Sequence, residues 1–134
     1  MAFRVTTTHN LKTVAKILAI DDDPMMLELY QEILTRAGHE VVLAENGNQG
    51  LTRTERRPEL IIVDLMMPNL NGYEFVKQLR ALDGQRTTPV IAASSLSTGE
   101  WALRAGADRF LAKPFRSDEL IAVVDELLSG GKAA

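Results

Sequence analysis

The feature that most limits the fold of this chain is an aliphatic run that ends in a carboxylate. In residues 61–72, IIVDLMMPNLNG, three β-branched residues lead directly into Asp64, and three more apolar residues follow it. β-Branched residues favour strands. A carboxylate among apolar neighbours is costly unless a cation or hydrogen-bond donors compensate its charge. The fold therefore has to bring a compensating group from elsewhere in the chain to the end of this strand.

Five short apolar runs alternate with helical patterns along the chain. Several of these runs are nearly continuous, as in strands that are covered by helices on both faces. This alternation predicts an α/β domain with a parallel five-stranded sheet and helices on both faces. The predicted strands are 17–21, 41–44, 60–64, 89–95 and 108–113, and the predicted helices lie at 24–37, 47–56 and 72–82, near 98–105 and from 117 onwards.

The first and last helices have the clearest apolar stripes. Pro24 suits the first turn of a helix, and Gly38 suits its end. Ser117 is the predicted start of the last helix, and two acidic residues follow it in the first turn. The first stripe is Met26, Leu29, Tyr30, Ile33 and Leu34, and the last is Leu120, Val123, Val124, Leu127 and Leu128.

Polar residues follow four of the predicted strands. Three aspartates, 21–23, end the first strand, and Asp64 ends the third. Two serines, 94–95, end the fourth, and Lys113 ends the fifth. The carboxyl ends of parallel strands meet at one edge of the sheet, where ligands of such folds bind. Lys113 and a divalent cation shared with the first acidic cluster would balance the charge of Asp64, and hard oxygen ligands suit Mg²⁺.

A metal, an ammonium group and a hydroxyl around one carboxylate also suit phosphoryl transfer, which needs charge neutralisation and in-line positioning. Asp64 would be the nucleophile. Mg²⁺ and Lys113 would hold the phosphoryl oxygens, and Ser94 would donate a hydrogen bond to one of them.

Four segments carry a resemblance to a known family. ILAIDDDP, IIVDLMMPNLNG, PVIAASS and AGADRFLAKPF, in this order, resemble the receiver domain of two-component response regulators, over about residues 16–128. The resemblance implies a flavodoxin-like doubly wound fold with strand order 2-1-3-4-5. It also implies Mg²⁺-dependent phosphorylation of one aspartate by a sensor histidine kinase or a histidine phosphotransfer protein, followed by binding of an output protein.

By the same resemblance, Asp64 is the phosphoacceptor. Asp22 is a direct ligand of Mg²⁺, and Asp21 acts on the ion through water. The backbone carbonyl of Met66 completes the protein ligands of the metal.

The resemblance also assigns a switch. Ser94 takes the position of the switch hydroxyl, and Phe110 that of the switch aromatic residue. Lys113 binds the phosphoryl group, and its peptide bond to Pro114 is expected to be cis. Phosphorylation then draws Ser94 towards the phosphoryl group, Phe110 rotates into the space left behind, and a partner-binding surface changes.

The chain departs from the family pattern in two places. Gly106 follows Ser94 by only twelve positions, which predicts that the helix between the fourth and fifth strands is shortened or replaced by a loop. Trp101 falls in this segment and is either a core residue or a partner contact. Met66 and Leu96 are apolar where the family often has polar residues near the attacking water, which predicts slow autodephosphorylation.

The expected organisation is a flexible extension at 1–15, a receiver domain at 16–129 and a tail at 130–134. No output domain fits in the remaining chain, so a stand-alone receiver is expected, although a fragment of a larger protein is equally compatible. The net charge of −3 predicts no contact with nucleic acid or membranes, and the lack of cysteine excludes disulfides and thiol zinc sites. The resemblance implies a cytoplasmic location and leaves a homodimer open.

Two other functions remain open at this point. One is a pseudo-receiver, which binds partners without phosphorylation. The other is a haloacid dehalogenase-like phosphatase, for which Asp21 rather than Asp64 would become the acyl phosphate. Apart from that phosphatase, no turnover of an external substrate is expected.

Overall fold

The computed structural model describes residues 14–68, 70–95, 103 and 105–130. Its five strands form one parallel sheet in the order β2-β1-β3-β4-β5, which confirms the predicted topology. The strands are β1 (Lys16–Ile20), β2 (Glu40–Ala44), β3 (Leu60–Asp64), β4 (Val90–Ser94) and β5 (Arg109–Ala112). The helices are α1 (Pro24–Arg36), α2 (Gly47–Arg53), α3 (Gly72–Arg80) and α4 (Ser117–Leu128), with a 3₁₀ turn at Thr54–Arg56 after α2.

Helices cover both faces of the sheet, and each face has its own apolar core. Residues of the central strands alternate between the two cores, as the two-residue period of a strand requires. On one face, Phe75, Val76 and Leu79 of α3 are fully buried, and burial of each such side chain contributes about 1.5–3 kcal/mol. On the other face, α1 and α4 pack against Ile17, Ala19, Ile62 and Leu111.

The helix starts follow the capping chemistry of the sequence. Asp23 is the N-cap of α1, where its side chain accepts a hydrogen bond from the Met25 N–H, and Pro24 occupies the first turn. Asn71 caps α3 through the Glu74 N–H in the same way. These caps fix where each helix leaves the carboxyl edge of the sheet.

The buried stripe of α1 differs from its prediction. Leu29 is 39% exposed, whereas Leu27, which the predicted stripe left out, is buried with Tyr30 and Leu34. These three residues have the spacing i, i+3, i+7, so the helix is rotated slightly from the predicted face. Leu82, the last residue of the predicted helix 72–82, is also 39% exposed, because α3 ends at Arg80 and does not carry it into the core.

The predicted helix at 47–56 is divided into α2 and the 3₁₀ turn. Its two glycines, which weaken a helix, are required by close packing. A Cβ on Gly50 would lie 2.5 Å from Ile20 Cδ1, and one on Gly47 would lie 2.7 Å from the Leu70 carbonyl oxygen. The shortened helix predicted near 98–105, including Trp101, lies largely outside the described residues, of which Leu103 and Ala105 are helical.

The described part of the predicted N-terminal extension contacts the domain. Ala15 is buried, its N–H donates to His39 Nδ1 at 3.1 Å, and its carbonyl accepts from the Glu40 N–H. The predicted boundary near residue 15 stays a prediction. No helix among the described residues is long and apolar enough to cross a bilayer.

We expect stability to fall on mild acidification because of His39. Burial lowers the pKa of His39 below its value in the unfolded chain, against the opposing charges of Asp125 and Glu59. A group whose pKa is lowered on folding binds its proton more weakly in the native state. Its contribution to stability is therefore present above the unfolded pKa of about 6.5 and is lost as pH falls from that value through the lower pKa of the folded state.

Urea unfolding between pH 7.5 and 5 measures this effect. The wild type should lose stability more steeply with falling pH than a His39→Gln variant. Both proteins keep the only other histidine, His9, so the difference isolates His39. If the unfolding free energies of the two proteins fell in parallel with pH, His39 would not contribute to the pH dependence of stability.

Candidate functional site

Two carboxylates from adjacent strands meet at the carboxyl edge of the sheet. Asp64 is the last residue of β3 and is 6% exposed, and Asp21 follows β1 directly and is fully buried. β1 and β3 are neighbours in the sheet, so the topology alone places these side chains together. Asp22, the next residue, is exposed.

Lys113, which follows β5, is the cation at this edge. Its Nζ lies 2.7 Å from Asp21 Oδ2 and 3.5 Å from Asp64 Oδ1. Lys113 therefore pairs with Asp64, as expected, and its shorter contact is to Asp21. The other oxygen of Asp21 accepts the Asp23 N–H at 3.0 Å, so both of its oxygens have donors. The peptide bond between Lys113 and Pro114 is cis, as expected.

Asp64 is poorly compensated in this arrangement. Burial raises its pKa above the usual range, and the nearby charge of Asp21 raises it further. Lys113 and the Met66 N–H, which donates to Asp64 Oδ1 at 3.3 Å, oppose this shift without cancelling it. The strand end therefore holds a carboxylate that a further cation would stabilise. Lys113 supplies only part of the charge compensation that the sequence requires for Asp64.

The acidic cluster fits a small divalent cation. One carboxylate oxygen from each of Asp21, Asp22 and Asp64 lies within 4.8 Å of the others. Mg²⁺ binds oxygens at about 2.1 Å, so the three side chains would have to rotate closer together to share one ion. Three carboxylates facing one ammonium group also leave two negative charges, which a divalent ion would neutralise.

The acidic cluster opens into a cleft of about 470 Å³. One wall is polar and comes from the strand ends. The other wall is apolar and includes Met26 and Leu29 of α1 together with Pro114 and Phe115. No local pattern in the sequence predicts this apolar wall, because its residues come from two separate segments.

The two predicted switch residues lie at different depths. Ser94 is fully buried at the end of β4, whereas Ser95 is exposed and lines the cleft. Phe110 of β5 is partly buried and packs against the core on the α3 face. Met66 is 55% exposed, two residues after Asp64.

Gly72 supports the acidic strand end and was missed as a site residue. A Cβ there would lie 2.6 Å from the Asp64 carbonyl oxygen and 2.7 Å from Leu65 Cα. Its N–H donates to the Leu65 carbonyl at 3.3 Å. The Asn-Gly pair in the sequence signals a turn, but not that the turn packs against the backbone of Asp64.

The chain is similar to known proteins in sequence and fold. A sequence model of the response regulator receiver domain family matches residues 17–125. The transcriptional regulatory protein PrrA of Mycobacterium tuberculosis is 40% identical over 118 residues, which cover 87% of this chain and 51% of PrrA. Protein PilH of Pseudomonas aeruginosa is 31% identical over 121 residues, which cover 87% of this chain and all of PilH.

A solved structure agrees in fold. The receiver domain of the sensor histidine kinase PA1611 from Pseudomonas aeruginosa, with a magnesium ion coordinated in its active site cleft, superposes with a TM-score of 0.81. It is 30% identical, and the match covers 87% of this chain and 99% of that one. The chain thus spans about half the length of the mycobacterial regulators that it matches and nearly the full length of the isolated receiver.

Proposed function

The chain belongs to the response regulator receiver domain family, and from this premise we propose that it accepts a phosphoryl group on Asp64 from a phosphohistidine. The donor would be a histidine kinase or a histidine phosphotransfer protein. The observation that carries the proposal is the position of Asp64. It is a buried, undercompensated carboxylate at the end of a central strand, beside two further carboxylates and Lys113.

Asp21 and Asp22 would hold Mg²⁺ together with Asp64 and the Met66 carbonyl oxygen. When bound, the ion neutralises charge on the phosphoryl oxygens and on the acidic cluster. Asp22 is exposed and suits direct ligation. Asp21 already accepts hydrogen bonds on both oxygens, which suits contact through a water molecule.

In the transfer step, an Asp64 oxygen forms a bond to phosphorus. The bond from phosphorus to the donor imidazole breaks, and its electron pair stays on the imidazole nitrogen. Lys113 Nζ, already 3.5 Å from Asp64 Oδ1, would bind a phosphoryl oxygen and stabilise the charge that the transfer brings into the cleft.

The switch would run through Ser94 and Phe110. Ser94 pairs in register with Ala112 of β5, and Phe110 pairs with Ala92 of β4, so both residues belong to the same strand pair. A displacement of Ser94 towards the phosphoryl group would be transmitted to Phe110 across this pair. The partner that reads the change is an output protein of unknown identity, and an absence of nucleic-acid contact stays a prediction for these 134 residues.

Beryllofluoride, a mimic of the phosphoryl group, tests the proposal. With Mg²⁺ it should raise the thermal stability of the wild type saturably, and it should do nothing to Asp64→Asn. Fluorescence of Trp101, the only tryptophan, is read in parallel and reports whether its segment senses the site. A wild type whose stability does not respond would support a pseudo-receiver instead.

We expect the phosphorylated protein to lose its phosphoryl group slowly. Met66 is exposed two residues after Asp64 and has no group that could orient an attacking water. A Met66→Asn, Leu96→Glu double variant should hydrolyse its acyl phosphate about tenfold faster or more. Leu96 lies outside the described residues, so its part rests on the sequence alone.

Met25→Asn is the matched control for this prediction. Met25 is 76% exposed at the start of α1, and its replacement makes the same chemical change away from Asp64. The control should hydrolyse at the wild-type rate. An unchanged or slower rate in the double variant would contradict the prediction.

A further inference from the structure

Tyr30 lies on the same face of the sheet as the site residues. Its neighbours in the α1 and α4 core include Ala19 of β1, Ile62 of β3 and Leu111 of β5. Two residues further along these segments are Asp21, Asp64 and Lys113. Side chains two residues apart in a strand point to the same face, so the site residues continue the rows that Tyr30 covers.

Tyr30 is also linked to the wall of the cleft. Its ring stacks on Phe115, with ring centroids 5.8 Å apart and an interplanar angle of 26°. Phe115 lines the cleft and follows Lys113 by two residues. Tyr30 itself is fully buried, so it sits behind the site rather than in its mouth.

The hydroxyl of Tyr30 has no hydrogen-bond partner. Among the residues that the structure describes, it is the only buried side-chain oxygen or nitrogen in this condition. A buried tyrosine normally finds a partner for its hydroxyl, since an unpaired buried donor is costly. Burial raises the pKa of this hydroxyl, and the charges of Asp21 and then Asp64 raise it further.

The proposed phosphorylation would change the hydrogen-bond donors that are available to Asp21. In the present structure Asp21 Oδ2 accepts Lys113 Nζ at 2.7 Å. Binding of a phosphoryl oxygen on Asp64 would draw Lys113 Nζ away from Asp21 and lengthen this short contact. Asp21 is fully buried, and the loss of a donor to a buried carboxylate oxygen is costly unless another group replaces it.

We propose that Tyr30 is a positioning residue whose hydroxyl donates to Asp21 when Lys113 moves to the phosphoryl group. The unpaired hydroxyl destabilises the resting state slightly, and the new bond to a carboxylate stabilises the phosphorylated state. Tyr30 thereby shifts the equilibrium towards phosphorylation without touching the phosphoryl group. This inference rests on the proposed function of Asp64.

Tyr30→Phe removes the hydroxyl and keeps the ring. Without ligands the variant should be as stable as the wild type or more stable, because it lacks the unpaired hydroxyl. With Mg²⁺ and beryllofluoride the wild type should be the more stable of the two proteins. The variant should bind beryllofluoride at least about fivefold more weakly. Affinity for Mg²⁺ alone should stay within about twofold, since Lys113 remains on Asp21 in that state.

Near-ultraviolet difference spectra supply a second readout. Beryllofluoride should perturb the tyrosine absorption of the wild type and of Tyr73→Phe, which removes the only other tyrosine. It should not do so in Tyr30→Phe. A purely structural tyrosine would give neither this signal nor the reversal of stability.

Failure of this inference and failure of the proposed function are distinguishable. If the wild type responds to beryllofluoride and Tyr30→Phe responds with equal affinity, the role of Tyr30 is overturned and the function of Asp64 stands. If Tyr30→Phe is less stable by the same amount with and without ligand, Tyr30 is structural only. If the wild type itself does not respond, the proposed function and this inference both fail.

Discussion

An Arg80→Met variant should lose about 3 kcal/mol of unfolding free energy. The guanidinium of Arg80, at the end of α3, donates to the carbonyl oxygens of Gln85, Thr88 and Gly106 at 2.7–3.2 Å. It also pairs with Asp108 at 3.2 Å, and both side chains are only about one-fifth exposed. Methionine would preserve the aliphatic stem of Arg80 but leave these acceptors without their donor.

The loss of stability should not disturb the site. The Arg80 contacts lie in the segments that precede β4 and β5, at the opposite edge of the sheet from Asp64. The folded variant should therefore bind beryllofluoride with Mg²⁺ as the wild type does. Urea unfolding measures the stability. The shift of the variant's thermal transition on addition of beryllofluoride and Mg²⁺ measures the binding.

Arg36→Met is the control for this change. Arg36 pairs with Glu32 at 3.4 Å on the surface of α1, where both side chains are more than half exposed. Its loss should cost below about 1 kcal/mol. Equal effects of the two substitutions would contradict the role given to the buried network of Arg80.

Gly72→Ala should damage both the stability and the acidic site. The added Cβ would collide with the Asp64 carbonyl oxygen and with Leu65 Cα, which are backbone atoms and cannot move aside as a flexible side chain would. Alanine is otherwise the better helix former, by about 1 kcal/mol. A net loss of about 2–3 kcal/mol would therefore reflect the collision.

The Gly72→Ala variant should also bind Mg²⁺ more weakly, because the collision displaces the backbone that carries Asp64 and Met66. Gly84→Ala is the control. Gly84 has a positive φ of 86°, and no atom lies within 4 Å of the position that a Cβ would take there. The control should lose about 1 kcal/mol through backbone strain and bind Mg²⁺ normally. Normal Mg²⁺ binding by Gly72→Ala would show that the strand end tolerates the shift.

The fold was predictable because its signals are local and periodic. The strand runs that end in Asp21 and Asp64 depend on neighbours in sequence, and so do the helix starts at Pro24 and Ser117. Parallel pairing then brings the strand ends together whatever the details of packing. These residues define the acidic edge, and the structure places them there.

Other parts of the molecule depend on tertiary contacts that no local pattern contains. The hydrogen bonds of Arg80 join three segments, and the sequence marks Arg80 only as a basic residue near the end of a helix. The choice of Leu27 over Leu29 depends on how α1 rotates against the sheet. Tyr30 could have been noticed in an otherwise apolar stripe, because its hydroxyl needs a partner that leucine does not.

The most direct measurement is the position of the acyl phosphate after incubation with acetyl phosphate and Mg²⁺. Peptide mass spectrometry would locate the added phosphoryl group in the wild type and in Asp64→Asn. The account predicts modification at Asp64, dependent on Mg²⁺ and absent from the variant. Modification at Asp21, or no modification of a folded wild type that binds Mg²⁺, would contradict it.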